Sequence, residues 1–238
     1  NPCGFSIGEN LIECFEKAVS CDPISYFGGI VGFNRKIDSK IAKKIIEPFL
    51  ECIICPDIDD DALDILKMKK NLRVIIYNKD FNFSNTSTRS VMGGFLMQTL
   101  SDNTIEKDNW KIVTEIQPNK DHIRAMELGW KIVKYIKSNA IVIANKNQIL
   151  GVGAGQMSRV DSVKIAIQKI KENGLDIEGS ILASDAFFPF SDSLEIAEEF
   201  GVKHFIQPGG SIKDNEVIKK ANKLKVSMIF TGQRLFFH

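Results

Sequence analysis

The chain has 238 residues, 44% of them hydrophobic and 26% charged, the proportions of a globular protein long enough to bury a substantial core. Its 31 basic side chains nearly balance 30 acidic ones for a net charge of +1, which excludes the electrostatic footprint of a nucleic-acid binder or of a protein held on an anionic membrane and points to a small-molecule partner. No apolar run reaches the length needed to cross a bilayer, and the scattered cysteines Cys3, Cys14, Cys21, Cys52 and Cys55 suit a reducing cytoplasm better than a disulfide framework.

In chain order, Asn1-Pro2-Cys3-Gly4 reads as a turn rather than a start, so the chain is expected to be a fragment lacking its N-terminal portion. Ser6-x-x-Glu9 has capping-box spacing ahead of a helix with Leu11, Phe15, Ala18 and Val19 on one face, ended by Asp22-Pro23. Tyr26 to Phe33 reads as a strand whose glycines either bare its backbone beside an aromatic pair or let a helix pack closely. A helix over 39–46, a strand over 51–56, a helix over 59–69 with an acidic start and basic end, and a strand over 73–77 follow. This alternation predicts a largely parallel α/β sheet.

Residues 78–87 read as a polar loop and 88–100 as β structure bent at Gly93-Gly94. The polar stretch from Ser101 to Asn109 predicts a boundary between subdomains 1–105 and 106–238. The clearest helix is 121–137, with Ile123, Met126, Leu128, Trp130, Val133 and Ile136 on its apolar face. Beyond the hairpin described next come a helix over 159–172, a strand over 181–183, a helix near 194–200, a strand over 204–207, a helix over 213–224 and a strand over 226–230. Several of these strands end in polar or glycine loops, the pattern that gathers a crevice at the carboxyl edge of an open sheet.

The second half is organised around Lys137 to Arg159: a strand from Ala140 to Ala144, a turn at Asn145-Lys146-Asn147, and a second strand running into Gly151, Gly153 and Gly155. Three glycines at alternate positions strip one face of that strand, for a flat ligand or for another backbone; the spacing alone leaves both open. Asn139, Gln156, Ser158 and Arg159 flank the bare surface beside a helix N-terminus that favours an anion. G-x-G-x-x-G fails in both registers and no Walker loop exists, which disfavours a nicotinamide or nucleoside-triphosphate enzyme. Cys52-x-x-Cys55 lacks further ligands for zinc and reads as structural, while His122 and His204 read as structural or solvated. Asp185 would be costly to bury unpaired, and Phe187-Phe188-Pro189-Phe190 beside it serves either to stack on a planar heterocycle or to plug the sheet edge.

Taken in order, Asn1-Pro-Cys-Gly4, Phe27-Gly-Gly29, Ile53-Ile-Cys-Pro56, Lys137-Ser-Asn-Ala140, Gly153-Ala-Gly-Gln-Met-Ser-Arg159, Ser184-Asp-Ala-Phe-Phe-Pro-Phe190, Pro208-Gly-Gly-Ser211 and Arg234-Leu-Phe-Phe-His238 resemble one family. It is the transformylase domain of the bifunctional purine-biosynthesis enzyme that joins aminoimidazole-carboxamide ribonucleotide (AICAR) formyltransferase to IMP cyclohydrolase. The resemblance implies two similar three-layer α/β subdomains of cytidine-deaminase-like topology without zinc, in keeping with the missing H-x-E and P-C-x-x-C signature. It also implies a cytoplasmic homodimer with active sites between subunits, and formyl transfer from 10-formyltetrahydrofolate, the co-substrate, to the 5-amino group of AICAR.

Residue by residue, the resemblance places Gly28, Glu51, Asn139, Arg159, Phe187, Arg234 and His238 against the nucleotide, with Asn139 catalytic, and Val160, Asp192, Ser211 and Ile212 against the folate. It puts a monovalent cation, K+, near Ser138 and Asp185. In chemical terms an asparagine amide can orient the carboxamide and a developing oxyanion, arginines can neutralise the ribose phosphate, and Phe187 can stack on the imidazole ring. The family's catalytic Lys-His pair falls just before the Asn-Pro-Cys-Gly turn, with one residue between, outside this sequence, as does the cyclohydrolase domain. The expectation is therefore a chain that keeps much of the nucleotide and folate surface yet is inactive or weak alone. Two alternatives accompany it: a deaminase-like hydrolase on the same fold, which stoichiometric zinc would mark, and a non-catalytic ligand-binding or dimerisation module.

Overall fold

The computed structural model describes residues 1–78, 80, 86–99 and 107–235; His238, most of the expected 78–87 loop and most of the expected boundary stretch lie outside them. The chain opens with α1 (Leu11–Cys21), whose first amides, Ile12 N and Glu13 N, donate to the Asn10 side chain at 3.0 and 3.4 Å. Asn10, not the expected Ser6, is the cap. Ser6 is held elsewhere: it pairs with Gln148 in an antiparallel bridge, and its hydroxyl donates to Cys14 O at 2.5 Å.

Next come β1 (Gly29–Gly32), α2 (Ser39–Ile45), β2 (Leu50–Cys55), α3 (Asp60–Lys67) and β3 (Arg73–Ile76). Asp38 caps α2 by accepting from Lys40 N and Ile41 N, both at 2.9 Å. The three strands form a parallel sheet with β2 central. Helices α2 and α3 pack on each other and bury Ile41, Ala42, Ile45, Ala62 and Leu66. A two-stranded antiparallel ribbon follows, β4 (Thr86–Val91) and β5 (Gly94–Thr99).

After a 3₁₀ turn at Lys107–Asn109 come β6 (Lys111–Ile112), α4 (Lys120–Val133), β7 (Ile141–Ala144), β8 (Ile149–Gly153), α5 (Arg159–Glu172), β9 (Ile181–Ser184), α6 (Asp192–Glu199), β10 (His204–Gln207), α7 (Asp214–Lys223) and β11 (Ser227–Phe230). Six strands form one mixed sheet in the order β6-β11-β10-β9-β7-β8. β9, β10 and β11 run parallel, β7 runs antiparallel to both β8 and β9, and β6 runs antiparallel to β11. The protein is α/β, as the alternation predicts.

Side chains alternate across each strand. Ala144, Ile181 and Ala183 meet α4, where a side chain at Gly129 would collide with Ile181 and Ala183. Ile141, Ile143, Leu182 and Phe205 join the opposite core with Val163 and Ile167 of α5, Leu194 of α6 and Val217 of α7. All of β7 and β9 is buried, as a strand with helices on both faces must be.

The described residues fall into two compact units, one formed by Asn1–Phe27 with Lys107–His238 and the other by Gly28–Glu106. This differs from the division at 105/106 in where the first 27 residues go. They belong with the six-stranded sheet because α1 packs on β8, Ile7 N donates to Asn147 O at 2.7 Å, Asn173 donates to Cys21 O at 2.9 Å, and Lys169 pairs with Asp22 at 2.5 Å. Burial alone would raise the Asp22 carboxyl, but the bonds from Lys169 and Ser25 outweigh it and hold the group below its ordinary range. Among the described residues no helix is long and apolar enough to cross a membrane.

Candidate functional site

The register of the six-stranded sheet brings several loops to one edge. Ser184, the last residue of β9, lies opposite Ile141, the first of β7, and Ile141 lies opposite Gly153, the last of β8. The segments Ser138-Asn139 before β7, Ala154–Arg159 after β8 and Asp185–Phe190 after β9 therefore meet, and the parallel strands β10 and β11 send Pro208–Ser211 and Thr231–Leu235 to the same edge. Ligands of open α/β sheets bind in such a place.

Gly151 and Gly153 do not serve a ligand. A Cβ on either would lie less than 3.0 Å from a backbone carbonyl oxygen of α5, of Ala166 and Ser162 respectively. The stripped face is filled by the helix itself, the packing alternative of the two that the spacing left open. The close approach has a consequence for the site, because it fixes the first turn of α5 and with it Arg159. Ser158 caps that turn, accepting from Asp161 N at 3.1 Å.

Arg159 is only 8% exposed and Asp185 is fully buried. Arg159 Nη1 donates to Asp185 Oδ1 at 2.5 Å and to Ser184 Oγ at 2.8 Å, while Nη2 donates to Asn139 Oδ1 at 2.9 Å. Asp185 Oδ2 accepts from the Ser138 hydroxyl. Asn139 Nδ2 donates to Gln156 O at 2.9 Å and to Met157 O at 3.1 Å, and Asn139 O accepts from Ser162 Oγ at 2.8 Å. The arginine and the two carbonyls together fix the amide orientation, since a flipped Asn139 would face donor with donor and acceptor with acceptor.

This arrangement revises what Asn139 can do. Both amide hydrogens are spent on carbonyls, so the side chain has no donor left for an oxyanion and offers a ligand only the second lone pair of Oδ1. Arg159 spends three of its five N–H groups on the bonds above and keeps two for a ligand. Within the Asn139–Arg159–Asp185 cluster, hydrogen-bond donation to a ligand rests with Arg159.

The aromatic run divides its work. Phe188 is fully buried and meets Phe205 edge-on at 6.4 Å. Phe187 is half-buried beneath the Arg234 guanidinium, 4.8 Å from the ring centre, and Phe190 is exposed with Lys213 4.2 Å above it. The backbone N–H of Leu235 donates to Asp185 O at 3.0 Å, so Asn139, Arg159, Phe187 and Arg234 are joined through Asp185 in one continuous set of contacts. Ser184, the first residue of a motif that carries the resemblance, and Ser162, which carries no distinguishing signal in the sequence, complete that set.

The positions implied for folate lie on the same edge. Val160 stands in the first turn of α5 and Asp192 at the exposed start of α6. Ser211 follows β10 with its amide held by Asp214 at 3.2 Å, and Ile212 beside it is fully exposed. Gly28 and Glu51 belong to the other unit. There Gly28 N donates to Phe49 O at 2.9 Å and Glu51 pairs with Arg73 at 3.6 Å.

For a monovalent cation near Ser138 and Asp185 the donor set fits poorly. Both carboxylate oxygens already accept hydrogen bonds, one of them from a guanidinium, so a cation would compete with a positive charge bonded to the same carboxylate. His122 and His204 lie at the far edge. His204 pairs with Ile181, three positions from Ser184, which is about 10 Å along the strand. Their rings stack at 3.5 Å, and His204 Nδ1 shares a 2.7 Å hydrogen bond with Ser227 Oγ. Burial, then repulsion from His122 and Lys203, pushes His204 down to about 4.

Comparison with known proteins is consistent with the motifs. The family model described as AICARFT/IMPCHase bienzyme matches residues 1–169. A bifunctional purine biosynthesis protein PurH from Prochlorococcus marinus subsp. pastoris is 50% identical over 241 residues. Proteins of the same name from Aquifex aeolicus and Desulfitobacterium hafniense are 46% identical over 239 residues and 45% over 240. In each case all of this chain is covered but 46% of the relative, so the chain spans about half the length of the curated relatives it matches. The chain belongs to the AICARFT/IMPCHase bienzyme family.

Proposed function

We propose that this chain carries the formyl-transfer half of the family's chemistry in purine biosynthesis, moving a formyl group from 10-formyltetrahydrofolate to the 5-amino group of AICAR. The observation that carries the reading is the cluster of Asn139, Arg159 and Asp185 at the strand ends, beside Phe187 and Arg234. In the proposed step the amine nitrogen attacks the formyl carbon, a C–N bond forms, and the formyl oxygen becomes an oxyanion. Collapse of that intermediate breaks the bond to folate N10, and the proton lost by the amine ends on N10.

Arg159 supplies the two N–H groups and the charge that an oxyanion or a ribose phosphate needs. Asn139 Oδ1 accepts from the amine or carboxamide N–H, orienting the nucleophile rather than stabilising the oxyanion. Phe187, half-buried beneath Arg234, is the aromatic surface on which the imidazole ring would stack. Val160, Asp192, Ser211 and Ile212 would hold the folate, and the exposed Ile212 side chain is the kind of apolar surface a pterin or aryl ring covers. In this reading the proton acceptor is the Lys-His pair that the resemblance places ahead of Asn1, and the cyclohydrolase activity belongs to the rest of the longer protein.

The reading includes a homodimer. Ile30, Ile54 and Ile75 lie on one face of the β1-β2-β3 sheet by register, with Ile30 69% and Ile75 49% exposed, an apolar row that a second subunit would cover. The test is calorimetric titration with AICAR. Saturable binding that is lost in Arg159→Ala supports the proposal, and a folded chain that takes up no AICAR overturns it.

A further inference from the structure

We propose that Asp185 is a positioning residue for this site: its buried carboxylate sets the direction of the two N–H groups that Arg159 has left for a ligand. The inference rests on the nucleotide reading above. A guanidinium is a planar fork, so fixing two of its corners fixes the third. Nη1 is held by Asp185 and Ser184, and Nη2 is held on one side by Asn139. The remaining donors can then point only one way.

Asp185 is itself immobilised from several directions. Ser138 donates to its second oxygen, its N–H donates to Ala140 O at 3.3 Å, and its carbonyl accepts from Leu235 N at 3.0 Å. One residue thereby references the arginine to the start of β7 and to the segment that carries Arg234.

Simple electrostatics and positioning predict opposite outcomes when the charge is removed. If Asp185 only neutralised Arg159, Asp185→Asn would add a net positive charge to the site and tighten binding of an anionic nucleotide. If Asp185 aims the guanidinium, the same change weakens binding although the site has become more positive.

The experiment measures AICAR affinity of the chain and of its Asp185→Asn, Arg159→Gln and doubly substituted variants. The expected result is a loss of about tenfold in Asp185→Asn, with no further loss when it is added to Arg159→Gln. Equal or tighter binding by Asp185→Asn, or the same loss in the Arg159→Gln background, overturns the proposal. Ser138→Ala removes only the second tether and serves if Asp185→Asn does not fold; it should weaken binding in the same direction, and unchanged affinity counts against the proposal. Rotation of the Arg159 guanidinium about its Nε–Cζ bond, followed by NMR without ligand, separates this inference from the functional reading. Slow rotation that becomes fast in Ser138→Ala and Asp185→Asn upholds the positioning even if AICAR itself fails to bind, and rotation unchanged by either substitution overturns it.

Discussion

The six-stranded and the three-stranded sheet of this protein treat the same kind of strand differently. In the six-stranded sheet β7 and β9 are buried from end to end, with α4 on one face and α5, α6 and α7 on the other. In the three-stranded sheet the outer strands β1 and β3 are half-buried or exposed throughout, and Ile30 and Ile75 face solvent. Both read in the sequence as apolar strands between helices. Among the described residues the fully buried carboxylate, Asp185, stands at the edge of the doubly covered sheet, where the donors fixed around it repay the loss of water. Polar chemistry at a buried position depends on the packing that surrounds it.

The contrast can be broken most severely at the ion pair. Arg159→Met leaves Asp185 buried without its countercharge, and urea denaturation should show a loss of about 3–5 kcal/mol. A smaller effect sharpens the comparison through glycine. Gly153→Ala drives a methyl into the Ser162 carbonyl and should cost about 1–3 kcal/mol. Gly32→Ala in β1, where nothing lies within 4 Å of the added carbon, should stay within about 0.5 kcal/mol.

A pH titration probes the same sheet at its opposite edge. His204 is pushed down to about 4 in the folded chain against an ordinary value near 6.5. The unfolded chain therefore binds the proton first, and this group leaves stability unchanged above about pH 6.5 and lowers it as the pH falls towards 4. The groups around it act in both directions: burial is the main cause of the depressed His122 value, Asp121 opposes it, and Lys203 adds to the repulsion on His204. The expected result is a fall in urea midpoint across that window that is shallower in His204→Gln; an identical fall in both proteins refutes it. The smallest change in unfolding free energy is expected at the exposed face. Ile30→Ser should alter stability by no more than about 0.5 kcal/mol, yet sedimentation should show weaker self-association if a second copy covers that row.

Much of the fold was legible because its signals are local. The helix over 159–172 and the strand over 204–207 are found at the bounds read from the sequence, the first because Ser158 caps it and the second because a short apolar run sits between a helix and a glycine turn. β6 was missed, since two residues on a sheet edge carry no period. Ser6 failed as a cap because its partner is Gln148, far along the chain. At the site, the sequence named Asp185 as a residue that needs a partner but could not say which, since Arg159 lies 26 positions away. The glycines of β8 were ambiguous for a physical reason: a bare backbone admits a helix as readily as a ligand.

Residues Asn1–Phe27 belong to a unit completed only by residues from Lys107 onward. On the ribosome α1 is made well before the residues that anchor this stretch, since Gln148, Lys169 and Asn173 follow it by more than a hundred positions. The intervening segment from Gly28 can close its own short parallel sheet while the opening helix still lacks a surface to rest on. A nascent chain thus exposes the apolar side of α1 until those anchors emerge, the kind of transient surface that a holding chaperone covers.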